Sequence, residues 1–369
     1  MVSASKRHKT RAPDAQKAVA LVGILFLCGA AAQACQLPVY RWALSNWPAD
    51  PYEALVFHRG PLSEQQRARV ASLESASSEQ QNAVANLQVR LANLDDPASA
   101  ALQALWDAHP GKQLPWLALR YPHAPPERPP AWAGPLDQAD ATAMIDSPVR
   151  RQVVKRLLAG DAAVWVLLEA GNRQKDAAAF AALEKQLKTM HGIIDEARSL
   201  TGLIGDGQAK PEEAVSFSIF RVSRTDPDER FFTAMLLGSE FDLATYDEPM
   251  AFPVFGRGRA LYALVGKGIN PDTIRDACLF TGMACTCLVK DQNPGTDLLM
   301  TADWEAASAS MAAASGPTAA PPPIPPTPFD TEDTAPAPNP ALVAFLALAL
   351  AFLATLGGTV LLARRKRHP

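Results

Sequence analysis

Cysteine is the residue type in this 369-residue chain best suited to covalent, redox or soft-metal chemistry. Cys35 stands in "ACQLPVYRWAL", directly behind an apolar N-terminal stretch and three residues ahead of Pro38. A thiol at a helix N-terminus faces backbone N–H groups and the positive end of the helix dipole, both of which favour the thiolate, so Cys35 is a candidate nucleophile. If the strand behind that helix ends at the same rim, His58 and Arg59 lie near Cys35 and lower its pKa. Two other readings stand beside this one. Cys35 could be half of a structural disulfide to the C-terminal cysteines, or a lipidated N-terminal residue, although "AAQA" before it lacks the leucine of a lipobox.

The second group is Cys278, Cys285 and Cys287. Cys278 falls in an expected helix, whereas "ACTC" falls on an expected strand, where residues two apart share a face. A bridge from Cys278 to either strand cysteine is one outcome. The other is a soft-metal site, with Cys278, Cys285 and Cys287 as thiolate ligands for copper or zinc. No cofactor is expected, because "GLIGDGQAK" lacks the spacing of a phosphate loop and "FGRGRAL" lacks that of a dinucleotide loop. There is no G-x-S-x-G and no H-E-x-x-H, so hydrolysis is not indicated.

The elements that must position these residues follow from a recurring unit, a proline-opened helix followed by a buried strand ending in glycine. "LPVYRWALSNWPADPYEALVFHRG" (37–60) and "SPVRRQVVKRLLAGDAAVWVLLEAG" (147–171) share P-V-x-R at the helix start, and "NPDTIRDACLFTGMACTCLVKDQNPG" (270–295) is a weaker copy. Starts more than a hundred residues apart give a domain-sized repeat. Between them, "SEQQRARVASLESASSEQQNAVANLQVRLANL" and "RQKDAAAFAALEKQLKTM" predict amphipathic helices, and "LPWLALRYP" predicts a strand. "VSFSIFRVSR" and "RFFTAMLLGSE", joined by the turn composition "TDPDE", predict a hairpin.

The chain ends set the expected topology. Residues 1–34 combine a basic region, a short apolar run and Ala32-Gln33-Ala34 as a cleavage site, the pattern of a secretory signal peptide. Ala341 to Ala363 is uncharged and long enough to span a hydrocarbon core of about 30 Å, and the basic tail 364–369 behind it places the bulk of the chain extracytoplasmic, in the periplasm, and the C-terminus cytoplasmic. Residues 306–340, rich in Pro and Ala, read as a semi-rigid stalk. The net charge of −3 and the lack of a basic stripe exclude nucleic acid as an expected partner.

The order of Cys35, a buried strand, a long helical stretch and then Pro115 opening another strand resembles the thioredoxin-like fold. In that fold a C-x-x-C or related motif begins a helix, and a cis-proline before a later strand faces it. The matching residues are Cys35, Pro38 and Pro115, with Pro38 where the second cysteine would stand, so the resemblance implies a monothiol version of the site: Cys35, His58, Arg59 and Pro115. "PVYRWALSNWPADPYEALVFHRGPL" and "QNPGTDLLMTADW" also resemble a family of uncharacterised exported, membrane-anchored bacterial proteins, a likeness that implies no activity. The expectation is an α/β chain of two tandem thioredoxin-like domains, 35–147 and 148–305, with stalk and transmembrane helix. Its expected role is interaction or scaffolding with an envelope protein partner, against thiol exchange through Cys35 or metal handling through the C-terminal cysteines.

Overall fold

The computed structural model describes residues 37–78, 84–107, 113–204, 215–283 and 289–315. The expected signal peptide, Cys35, Cys285, Cys287, the expected stalk beyond residue 315, the expected membrane helix and the basic tail lie outside the described residues.

Short apolar runs bounded by glycine and proline become strands, and the capped amphipathic runs between them become helices. The first half runs α1 (Val39–Asn46), β1 (Tyr52–His58), α2 (Glu64–Ala76), β2 (Val84–Ala85), β3 (Leu87–Asn93), α3 (Ala100–Asp107), β4 (Trp116–Arg120), β5 (Trp132–Pro135) and α4 (Ala141–Ile145). The second runs α5 (Pro148–Leu158), β6 (Ala163–Glu169), α6 (Arg173–Ile204), β7 (Phe217–Ser223), α7 (Arg230–Leu237), β8 (Met250–Phe255), β9 (Arg259–Ala260), β10 (Leu264–Val265) and α8 (Pro271–Gly282). β11 (Thr296–Asp297), β12 (Thr301–Ala302) and α9 (Trp304–Ser315) close the described chain.

One strand pattern occurs twice. The first sheet is ordered β3-β1-β4-β5 and the second β11-β9-β8-β6-β7, with β10 beside β8. In each, the leading strand is parallel to its successor across a helix, β1 to β3 and β6 to β7. Each leading strand is also antiparallel to the third, β1 to β4 and β6 to β8, which pairs antiparallel with a fourth. A buried central strand needs apolar residues on both faces, and β6 is buried from Ala163 to Leu168.

The two faces of each sheet go to different clusters. Tyr52, Ala54 and Val56 of β1 and Val164, Val166 and Leu168 of β6 join one buried cluster with α2, α5 and α7, so a single core lies between the sheets. Leu55 and Phe57 turn the other way, onto Leu102, Leu105 and Trp106 of α3. Trp165 and Leu167 likewise turn onto Leu183, Leu187 and Met190 of α6 and Ile274 and Cys278 of α8. The halves also exchange segments. Val39, Tyr40 and Ala43 of α1 pack with the outer cluster of the second sheet, while β12 pairs with β2 of the first half.

Three expectations are corrected. "NLQVRLANL" is not the end of a helix: Leu87–Asn93 is a strand, because its register along β1, from Tyr52↔Leu87 to His58↔Asn93, outweighs the helix propensity of its residues. "RFFTAMLLGSE" is not the return strand of a hairpin. Arg230–Leu237 is a helix opened by the turn at Pro227–Glu229, with Phe231, Phe232, Met235 and Leu236 on its buried face. Residues 306–315, expected as the start of a stalk, are helical, because the alanine-rich run Trp304–Ser315 forms α9. No helix among the described residues is long and apolar enough to cross a membrane.

Candidate functional site

The rim where β1 ends holds three of the sequence-predicted residues, His58, Arg59 and Pro115. β1 and β4 pair from Glu53↔Arg120 to Phe57↔Trp116, so the next step sets His58 opposite Pro115, whose bond to Leu114 is cis. The Nδ1 of His58 lies 2.8 Å from the Gly60 carbonyl oxygen. A carbonyl can only accept, so Nδ1 carries the proton in this contact. Arg59 is tied by Nη1 to Asp95 Oδ1 at 2.9 Å, and the Gly60 N–H donates to the other oxygen of that carboxylate. Gly60 has φ of +59°, a left-handed turn that glycine adopts without a Cβ penalty. α2 begins just behind, capped by Ser63 and Gln66 in reciprocal hydrogen bonds.

The second sheet repeats this arrangement. Its register from Val164↔Val254 to Leu168↔Met250 sets Glu169 opposite Pro249, and Gly171, two residues after the strand, also has positive φ. Glu169 accepts from Arg221, Lys175 Nζ lies 2.6 Å from Glu248, and Arg224 donates to the Tyr246 and Glu248 carbonyls. Arg59, Glu169, Lys175, Arg221 and Arg224 are thus engaged with a carboxylate, a cation or backbone carbonyls. Neither helix opening, "GPLSEQQ" before α2 or "GNRQKD" before α6, contains a cysteine.

α1 does not start at the His58 rim. Its first N–H, from Val39, donates to the Met283 carbonyl at 3.0 Å, and the helix packs against α8, β8 and α9. The structure therefore brings His58, Arg59 and Pro115 together and gives α1 other neighbours, while Cys35 lies outside the described residues. Cys278 is a buried free thiol on the inner face of α8, and burial pushes its pKa well above the ordinary thiol value. Cys285 and Cys287 lie outside the described residues, and among those described no three His, Cys, Asp or Glu side chains are grouped to hold a metal.

Sequence reasoning passed over a second polar centre, between the C-terminal segment and the first half. Asp297, 3% exposed, accepts from Arg259 at 3.0 Å, from Lys290 at 2.5 Å and from the Asp50 N–H at 2.6 Å. Lys290 also lies 2.8 Å from Asp50 Oδ1 and donates to the Pro48 carbonyl at 2.6 Å. Burial pushes the Asp50 carboxyl up, but its bond to Lys290 and the charges of Lys290 and His123 more than offset this and hold it below the usual value. Asn86 completes the seam by donating to the Asp50 and Leu298 carbonyls. An acid directly before the apolar run "LLM" was the one sequence signal for this centre. Arg150 was also missed. The sequence drew attention to Arg151, which pairs with Asp146 at the surface, whereas Arg150 is 1% exposed.

No family model, curated protein or solved structure matches the chain.

Proposed function

We propose that this chain is an extracytoplasmic interaction or scaffold protein built from two thioredoxin-like halves, held to the membrane by residues 341–363 and engaging an envelope protein partner. The strand order supports the fold reading. Each half has a leading strand parallel to the second and antiparallel to the third, with a proline before the third strand opposite the leading strand's last residue.

The observation that carries the functional reading is the chemistry at those two rims. The helices that open beside Pro115 and Pro249 lack the cysteine that a thioredoxin-like site uses, and paired ions and capping hydrogen bonds occupy the positions instead. Such a rim offers shape and hydrogen bonds rather than an electron pair for exchange.

The test is mass spectrometry of the exported protein, non-reduced and alkylated, together with partner capture by wild type and Cys35→Ser. Cys35 lipidated or bridged, with capture unchanged where no bridge is lost, supports the scaffold reading. A free Cys35 with a thiol pKa well below about 8.5, whose replacement abolishes function, would replace it with thiol exchange.

A further inference from the structure

Phe241, in the loop between α7 and β8, is 100% exposed. The loop that carries it is fixed: Leu243 is buried, Glu240 accepts the Ala263 N–H at 2.7 Å, and Tyr246 donates to Asp242 at 3.3 Å. An ordered loop that holds a whole phenylalanine ring in water presents the kind of anchor that protein interfaces bury. Glu240 and Asp242 flank the ring, and neither forms an ion pair among the described residues.

An open groove of about 440 Å³ lies between α2 and the segment leading into α4, walled by small side chains including Ala68, Ser72, Ala139 and Ala141. Its cation is Arg69, which donates to the Ala139 carbonyl at 2.8 Å and has no carboxylate partner among the described residues. Its carboxylate, Asp140, is already neutralised by Arg230 at 3.1 Å. The groove therefore mixes the apolar Ala68, Ala139 and Ala141 with the polar Ser72, Gln138 and Thr142 around one unneutralised positive charge, and Phe241 is a large apolar group between two unneutralised negative ones.

We infer that the occupant of this groove is Phe241 of a second copy of the chain, with Glu240 and Asp242 of that copy facing Arg69, so that the protein self-associates through this contact. The inference rests on the scaffold reading and names one of its partners. Ala68, Ser72 and Phe241 are all exposed, so replacing them tests the contact without disturbing the core.

The experiment is sedimentation of the full-length protein in detergent over a range of concentrations, for wild type, Phe241→Ala and Ala68→Trp, with Ser72→Trp as a second groove-filling variant. Association by wild type, weakened about tenfold or more in each variant, is the expected result. Differently tagged Phe241→Ala and Ala68→Trp should co-purify when mixed, since that pair retains one intact ring and one intact groove. A wild type that stays monomeric overturns the inference and assigns Phe241 to another partner, leaving the scaffold reading to the Cys35 measurements. Association lost in Phe241→Ala but unchanged in both groove variants overturns the groove as the docking site.

Discussion

Arg150 and Glu229, both buried, are joined through a single hydroxyl: Ser147 Oγ accepts from Arg150 Nε at 3.0 Å and donates to Glu229 Oε2 at 2.6 Å. Arg150 also donates to the Met144, Leu299 and Ala143 carbonyls, and Glu229 accepts the Val149 N–H, so the unit ties α4, α5, the start of α7 and the C-terminal segment. Burial brings the Arg150 pKa down to about 10, which leaves it charged at neutral pH. Ser147→Ala takes the hydroxyl partner from Arg150 Nε and Glu229 Oε2 and removes the cap of α5. It should cost about 1–3 kcal/mol in denaturant unfolding, with strong non-additivity against Glu229→Ala. Additive losses would mean that the hydroxyl does not couple the two charges.

This unit marks where the sequence was legible. Ser147-Pro148 reads as a cap and first turn, and "AVWVLLE" reads as a buried strand, because both signals are local. That Arg150 rather than Arg151 turns inward depends on carbonyls at Leu299 and Met144, one of them 149 residues away. "LQVRLAN" and "RFFTAMLL" were misread for the same reason. Partnership with β1 made one a strand, and burial between the sheets made the other a helix. At the candidate site, His58, Arg59 and Pro115 share a rim and Cys35 lies outside the described residues, while the neighbours of α1 were set by non-local packing on the second half.

Gly238 is required by contact rather than by backbone conformation. Its φ is −96°, open to any residue, but an added Cβ would fall 1.7 Å from the hydroxyl of Tyr121. That hydroxyl donates to the Ala234 carbonyl at 2.8 Å, and Arg128 lies over the ring and donates to the Gly238 carbonyl, so neither neighbour yields freely. Gly238→Ala should destabilise by about 1–3 kcal/mol. Gly171→Ala meets nothing within 4 Å and should lose only about 1 kcal/mol, from its positive φ. Equal losses in thermal melts of the two variants would contradict this account.

The seam around Asp297 should set the acid limit of stability. The folded-state pKa of Asp50 lies below its unfolded value, so its contribution is present above about pH 4 and is lost as pH falls through the lower, folded value. Asp50→Asn should therefore be less stable than wild type at neutral pH and converge with it in acid. Lys290→Met removes the shared cation from a carboxylate that is 3% exposed and should cost about 3–5 kcal/mol. Urea midpoints measured from pH 7 to pH 3 test both. A gap between Asp50→Asn and wild type that widens toward pH 3 would show the sign to be wrong.

Cys278 gives the sharpest division between a structural and a chemical thiol. It sits among Ile274, Ala277 and Ile194 in the outer core of the second sheet, and burial holds it protonated far above neutral pH. A buried, neutral thiol is a small hydrophobic group rather than a nucleophile. Under native conditions a maleimide should leave Cys278 unmodified, and peptide mapping should show it labelled only as denaturant opens the core. Cys278→Ala should cost about 1 kcal/mol for the lost sulfur contacts, with partner capture unchanged. Labelling at the rate of an exposed thiol, without denaturant, would overturn the placement of this side chain inside α8 and return it to the list of reactive groups.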